Sequence, residues 1–326
     1  MHRGVLLFNL GGPETLSDVR PFLYNLFSDP EIIQIKSAFL RRLLALFAAA
    51  IRQGKSRDLY RQIGGGSPLR KITEAQAAAL GARLGARGCA ARVYVGMRCW
   101  KPSIDEAVDR ILADRITRLV LLPLFPQYSA PTTGSCLKHF GDLDRKFGLS
   151  AKMGIGVIRA WFDEPLYLES MADLIREGLS DFSDLPGEPI SLLYCAHSIP
   201  SRYVQKGDPY LEQTRRSVAL IDSLLGDRHP SSLAFQSKVG PVKWLDPSTK
   251  EVLAQMGRSG ASRVLLIPVS FVSDQIETLH EIDIFYRKLA GQSGIREFRR
   301  AAAPNLHPKF IEALAELAIR QFEKFR

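Results

Sequence analysis

Two passages of the chain repeat one another at a constant offset of 145 residues, and that repeat limits the possible folds more than any other feature. The first, KPSIDEAVDRILADRITRLVLLPLF, runs from Lys101 to Phe125; the second, DPSTKEVLAQMGRSGASRVLLIPVS, runs from Asp246 to Ser270. Pro102 matches Pro247, Ser103 matches Ser248, Glu106 matches Glu251, Arg118 matches Arg263, Leu121 matches Leu266 and Pro123 matches Pro268. Ser103 with Glu106, and Ser248 with Glu251, have the spacing of a capping box, so a helix is predicted to start at both places. A helix of about three turns follows. Each copy then has a short run of Leu, Ile and Val without alternation, which suits a parallel strand covered on both faces. A proline ends each run.

The two halves also open alike. GVLLFNLGGP (Gly4 to Pro13) resembles ISLLYCAHSIP (Ile190 to Pro200): an apolar strand, a polar or glycine turn, then proline. ARVYVGMR (Ala91 to Arg98) and LAFQSKVG (Leu233 to Gly240) are candidate second strands. Strand and helix alternating in both halves predict an α/β chain of two similar doubly wound domains with parallel sheets, residues 1–160 and 161–326. The final helix, Pro308 to Arg326, could pack on either. Ligands of such sheets lie beyond the carboxyl ends of the strands. That rule predicts a cleft between the domains, bordered by 9–13, 97–100, 123–129, 197–200, 236–238 and 268–277.

Composition narrows the partners. Lys plus Arg number 44 against 34 Asp plus Glu, a net charge of +10. Such a surface suits an anionic partner. With no basic run interleaved with aromatics, nucleic acid is not expected. None of the four cysteines (Cys89, Cys99, Cys136, Cys195) forms a Cys-x-x-Cys pair, and Met1-His2-Arg3-Gly4 is not a secretory pattern. Both observations predict a reducing cytoplasm and no structural zinc. AFLRRLLALFAAAI (Ala38 to Ile51) is interrupted by Arg41 and Arg42 and is too short to span a bilayer. It reads as an amphipathic helix with a wide apolar face: a core helix, a lip over an apolar pocket, or a peripheral contact with the inner face of a membrane.

His197 falls where a strand-like run stops, at a functional address rather than in mid-strand. After the last repeated strand, SFVSDQIETLHEIDIFY carries Asp274, Glu277 and Glu281 at spacings of three and four, so a helix would align them on one face. A surface helix often carries such a row. An interior row would need protons or a cation. One histidine with carboxylates is too sparse for structural zinc and suits transient metal delivery or proton transfer. YRQIGGGSPL (Tyr60 to Leu69) lacks the Lys-Ser/Thr of a phosphate loop; it is either a flexible turn or backbone that approaches a ligand closely. PLFPQYSAPTTGSC (Pro123 to Cys136) is a long polar and aromatic loop without the Gly-x-Ser-x-Gly of a hydrolase elbow.

These stretches resemble the ferrochelatase family. LFNLGGPETLSDVRPFL, YRQIGGGSPL, FPQYSAPTTGS, CAHSIPSRYVQKGDPY, FQSKVGPVKWL and FVSDQIETLHEID follow the family's motifs in order over nearly the whole chain. The resemblance implies two similar domains that clamp a porphyrin, and insertion of ferrous iron into protoporphyrin IX in the last step of haem synthesis. His197 resembles the family histidine assigned to accept pyrrole protons or to bind the entering metal, and Glu277 its carboxylate partner. Asp274 and Glu281 resemble an acidic row, on a locally widened helix, that conducts protons or metal. Leu10, Arg98, Tyr128, Gln236, Ser237 and Trp244 match pocket positions; Arg52, Lys55, Tyr60 and Ser67 match positions near the porphyrin carboxylates. The resemblance implies Fe2+ as substrate, no permanently bound cofactor, and a monomer or weak dimer. Gln275 stands where many members have histidine, Cys99 stands where tyrosine is common, and Phe285 interrupts the row. No cysteine follows Cys195, so no iron–sulfur cluster is expected. Three alternatives remain: a coproporphyrin III ferrochelatase, a non-catalytic porphyrin or haem carrier, and a chelatase acting on a corrin precursor.

Overall fold

The computed structural model describes residues 2–182, 189–226, 228–238, 240 and 242–325. Arg326, expected in the last helix, and Val239 and Pro241 of the FQSKVGPVKWL motif lie outside them. The chain divides into two units, Met1–Trp161 with Ile311–Arg326, and Phe162–Phe310.

The first unit begins with β1 (Arg3–Asn9), and α1 (Val19–Ser28), α2 (Ala38–Gln62) and α3 (Leu69–Ala86) follow. Next come β2 (Arg92–Met97), α4 (Ile104–Ala113), β3 (Arg118–Pro123), α5 (Ser135–Phe147), the short α6 (Leu149–Lys152) and β4 (Gly154–Val157). The second unit begins with α7 (Pro165–Ser180), β5 (Ile190–His197), α8 (Ser201–Gln205) and α9 (Tyr210–Leu225). It continues with β6 (Ser231–Gln236), α10 (Thr249–Arg258), β7 (Arg263–Pro268), a π-helix over Glu277–Tyr286, α11 (Arg287–Gln292) and β8 (Glu297–Arg300). The last helix, α12 (Pro308–Glu323), belongs to the first unit from Ile311 onward.

Both sheets are parallel and share one order: β2-β1-β3-β4 and β6-β5-β7-β8. Each unit therefore reverses its winding between its first and third strands, the switch point where such sheets bind ligands. The repeat seen in the sequence is the repeat of the fold. α4 and α10 each open on a capping box: Ser103 N–H to Glu106 at 2.6 Å with Glu106 N–H to Ser103 Oγ at 3.1 Å, and Ser248 N–H to Glu251 at 3.1 Å with Glu251 N–H to Ser248 Oγ at 3.3 Å. The peptide before Pro102 and that before Pro247 are both cis. β6 starts at Ser231, earlier than Leu233, and it stops at Gln236 short of Gly240 because Ser237 turns into the left-handed region at φ 64° and leaves the ladder.

Unalternated apolar strands are buried on both faces, as expected from their pattern. In the first unit Leu6, Phe8, Leu119 and Leu121 pack with Val108, Ile111 and Phe140. In the second, Leu193, Cys195, Val264 and Leu266 pack with Leu253, Phe298 and, from the π-helix, Ile282 and Tyr286. Each such aliphatic side chain contributes about 1.5–3 kcal/mol on burial. The π-helix is thereby fastened to the carboxyl half of the second sheet. α2 differs: of its apolar residues it buries Ala45, Ala49 and Tyr60, while Phe39, Phe47 and Ile51 stand 79%, 59% and 81% exposed.

Candidate active site

His197 is the last residue of β5 and lies in register with Gln236, the last of β6. Its backbone N–H donates to Ser270 Oγ at 2.8 Å, and its carbonyl accepts from the Tyr210 hydroxyl at 2.8 Å. Phe271 packs edge-on to the ring. Nδ1 lies 2.7 Å from the Ser198 carbonyl oxygen. A carbonyl can only accept, so Nδ1 carries the hydrogen, and in the neutral imidazole the lone pair is on Nε2. The half-buried imidazole is thus held in one orientation and one tautomer.

The carboxylates arrive from the segment after β7. Glu277 opens the π-helix, and its backbone carbonyl accepts from Gln236 Nε2 at 3.2 Å. Burial pushes the Glu277 carboxyl above the ordinary carboxylate range; the neighbouring His197, in its protonated form, draws it back, and Glu281 adds to the rise. Glu281 accepts from Gln236 Nε2 (3.1 Å), the Ser237 N–H (3.0 Å), the Ser237 hydroxyl and the Tyr286 hydroxyl (2.9 Å). The left-handed backbone at Ser237 aims both of its donors at one carboxylate, which accounts for a strained non-glycine residue at this spot.

Gln236 is itself oriented from below. The Cys195 thiol donates to Gln236 Oε1 at 2.7 Å, so the amide nitrogen must face Glu281. Cys195 is fully buried, and desolvation holds its thiol far above the ordinary range, so it acts as a neutral donor. Gln236 is only 1% exposed. It and Ser237, expected among pocket-lining residues, are therefore occupied in holding Glu281.

Asp274 departs from the expected row. It precedes the helix, and its carboxylate accepts from Thr278 Oγ1 (2.9 Å), Arg300 Nη1 (3.0 Å) and Asn305 Nδ2 (2.8 Å). The α-helical spacing that would align it with Glu277 and Glu281 does not apply, because the helix starts later and is wider. Trp244 pairs with Pro200 in an isolated bridge, and its buried Nε1–H has no acceptor among the described residues.

In the first unit the expected positions fall at the carboxyl ends of the strands and on α2. Leu10 follows β1 and is partly buried; its N–H donates to the Asn9 side chain at 2.8 Å. Tyr128 lies on the loop after β3, its hydroxyl close to Gly134, where a Cβ would stand 3.0 Å away. Arg98 follows β2, but its guanidinium is occupied: Nη2 lies 3.0 Å from Asp29, and Nε donates to Ser135 Oγ at 2.7 Å. Ser67 N–H donates to the Pro13 carbonyl at 2.7 Å. A Cβ on Gly66 would lie 2.0 Å from the Glu14 carbonyl oxygen, so this glycine is required by a close approach of the chain to itself. On α2, Tyr60 is buried, Arg52 lies over the Phe27 ring at 5.7 Å and Lys55 is exposed.

Sequence reasoning missed Cys195, Tyr286, Asp283 and Arg300. A buried thiol and tyrosine carry no motif, and Arg300 reaches the π-helix only through the fold.

A histidine with a free Nε2 beside a carboxyl held up by burial can take protons from a bound ligand and accept a metal in transit. The comparisons with known proteins bear on the family. A ferrochelatase family model matches residues 2–322. The ferrochelatase of Gloeothece citriformis is 48% identical over 317 residues, covering 97% of this chain and 81% of that protein. The ferrochelatase of Synechococcus sp. (strain JA-3-3Ab) is 50% identical over 315 residues, covering 96% and 92%. The chloroplastic/mitochondrial ferrochelatase-1 of Arabidopsis thaliana is 50% identical over 322 residues, covering 97% and 69%. Among solved structures, SirB from Bacillus subtilis with Fe3+ is similar at a TM-score of 0.54 and 13% identity, covering 99% of this chain and 95% of that one. The cobalt complex of the sirohydrochlorin chelatase SirB from Bacillus subtilis subspecies spizizenii gives 0.56 and 13%, covering 100% and 97%. At that identity the solved structures speak to the fold, whereas the full-length sequence matches carry the family: this chain belongs to the ferrochelatases.

Proposed function

We propose that the chain inserts Fe2+ into protoporphyrin IX, with His197 Nε2 as the acceptor of a pyrrole proton and Glu277 as its partner. The observation that supports this most directly is the Nδ1 contact to Ser198, which leaves Nε2 the basic nitrogen beside a carboxyl raised by burial. A porphyrin must lose two N–H protons to take a dication. A neutral imidazole accepts one near pH 7, and a carboxyl raised above its ordinary range by burial can take the other and pass it on. Glu281, held by donors on several sides, is the next acceptor along this path, and Asp274 is read as a further carboxylate serving it. Both His197 and Glu277 can also meet the metal as it enters. Arg52, Lys55, Tyr60 and Ser67 are read as the positions that receive the porphyrin carboxylates, and Leu10, Tyr128 and Trp244 as positions that line the macrocycle. Arg98, Gln236 and Ser237 act by holding their neighbours in place.

The apolar face of α2 is read as a peripheral membrane contact, since Phe39, Phe47 and Ile51 are exposed next to Arg41, Arg42 and Arg52. No helix among the described residues is long and apolar enough to cross a membrane.

The test is anaerobic Fe(II) insertion into protoporphyrin IX, followed by absorbance, for wild type, His197→Ala and Glu277→Gln. A wild type that binds porphyrin yet never metallates it overturns the reading. Full turnover by His197→Ala overturns the assigned site. A coproporphyrin III arm, compared by kcat/KM, decides which porphyrin is the substrate.

A further inference from the structure

Arg300, the last residue of β8, joins two carboxylates that flank the working part of the π-helix. Its Nε and Nη2 grip the two oxygens of Asp283 at 2.9 Å each, and its Nη1 reaches Asp274 Oδ1 at 3.0 Å. Its side chain is only 13% exposed. Asp274 is fixed in turn by Asn305, which takes the Asp274 N–H at 2.9 Å and donates to its carboxylate, and by Thr278 Oγ1. A second arginine ties the same edge to β8: Arg287 donates from Nη1 to the Phe298 carbonyl at 2.7 Å and from Nε to the Asp283 carbonyl at 3.0 Å.

These contacts select a helical register. Thr278, bound to Asp274, and Asp283, bound to Arg300, lie five residues apart; so do Glu281 and Tyr286, which are joined at 2.9 Å on the other edge. With i→i+5 bonding such pairs stack. At 3.6 residues per turn they would point about 140° apart. The clamp at Arg300 and the cradle around Glu281 therefore require the same widened turn. Wide turns of this kind are rare in isolation and need outside contacts to hold them.

We propose that Arg300 is a positioning residue: by bridging Asp274 to Asp283 it keeps residues 277–286 in the π register and so fixes Glu277 and Glu281 for metal insertion. The inference rests on the reading of Glu277 as the working carboxylate. A role in stability alone would not connect Arg300 with Tyr286, which belongs to the opposite edge.

The test compares Arg300→Lys, Asp283→Asn, Tyr286→Phe and the double variant Arg300→Lys/Tyr286→Phe in anaerobic Fe(II) insertion, with porphyrin affinity measured by fluorescence quenching. Lysine keeps the charge but cannot grip bidentately. The expected result for Arg300→Lys and for Asp283→Asn is a loss in kcat of about 10–100-fold, the scale of a misplaced catalytic group, with porphyrin Kd and KM within about threefold of wild type. The double variant should be no more than about threefold worse than the weaker single variant, because both act through one register. Wild-type kcat in folded Arg300→Lys, a loss confined to porphyrin KM, or additive losses in the double variant overturn the proposal. If Arg300→Lys does not fold, Asp283→Asn alone and with Tyr286→Phe gives the same comparison. Glu277→Gln separates the two readings. Its inactivity beside a fully active Arg300→Lys sinks the positioning role alone, and its full activity beside a crippled Arg300→Lys sinks the role given to Glu277 alone.

Discussion

Nδ1 of His197 is held 2.7 Å from the carbonyl oxygen of Ser198, its own neighbour in the chain. Ser198 is fixed in turn, since its N–H donates to the Gln236 carbonyl at 2.9 Å. The end of β5 thus sets not only where the imidazole sits but which nitrogen is basic. His197→Ala should lower kcat for Fe(II) insertion by about 10²–10⁴-fold, the usual worth of a positioned acid or base. Porphyrin affinity, read from quenching of porphyrin fluorescence, should change by less than about threefold. A large loss of affinity with unchanged kcat would instead make His197 a binding residue.

The Glu277 carboxyl gives a pH signature of stability. Burial raises its folded-state pKa above the ordinary 4.5, so the folded chain holds this proton more tightly than the unfolded chain. Its favourable contribution is complete below the unfolded value and is lost as pH rises through the raised folded value. Glu277→Gln has no charge to bury. It should therefore melt above wild type at pH 8, by about 2–4 °C for each kcal/mol recovered, and the gap should close toward pH 5. Melting curves across that range check the direction; a gap that widens on acidification would contradict the cause assigned to the shift.

The layout was legible in the sequence because the repeat states it twice: matched capping boxes at Ser103 and Ser248 and unalternated strands ending at Pro123 and Pro268 require the same local structure in both halves. His197 was legible as an address at a strand end. The widened register of the acidic helix was implied by the family resemblance alone and not by the residues. DQIETLHEIDIFY contains no proline or glycine, and its carboxylate spacing of three and four reads equally well as an α-helix. The wider turn is set by Arg300 and Gln236, whose contacts exist only after the second sheet has formed, together with Tyr286 inside the helix. Cys195 reads as an ordinary core residue in the sequence; its hydrogen bond to Gln236 gives it a task in orientation.

Arg98 tests whether a residue matched to a ligand pocket binds ligand or supports the fold. Its guanidinium faces Asp29, a carboxylate whose side chain is 0% exposed, and Ser135 donates to the same carboxylate. Removing one partner of a buried pair leaves an uncompensated charge. Arg98→Met should therefore cost about 3–5 kcal/mol in urea unfolding. Arg98→Met/Asp29→Asn should recover most of the loss, since asparagine is neutral yet keeps the acceptor that receives the Glu31 N–H at 2.8 Å. A stability loss below about 1 kcal/mol, together with a raised porphyrin KM, would return Arg98 to the ligand.

α2 carries an exposed apolar surface. Phe39, Phe47 and Ile51 are more than half exposed, while Ala45 and Ala49 are the small residues it buries. Arg41 is tied back by hydrogen bonds to the carbonyls of Ser28 (2.9 Å) and Ile35 (2.7 Å), which steadies the start of the helix without covering that apolar face. Replacing all three exposed residues with serine removes little packing, so melting temperature should stay within about 2 °C of wild type. Sedimentation with vesicles containing anionic lipid should fall at least about fivefold, because both apolar insertion and charge attraction contribute to such binding. Salt should weaken wild-type binding only in part, leaving the share contributed by Phe39, Phe47 and Ile51. Binding that survives the triple substitution and vanishes in salt would place the contact on the basic surface instead of on α2.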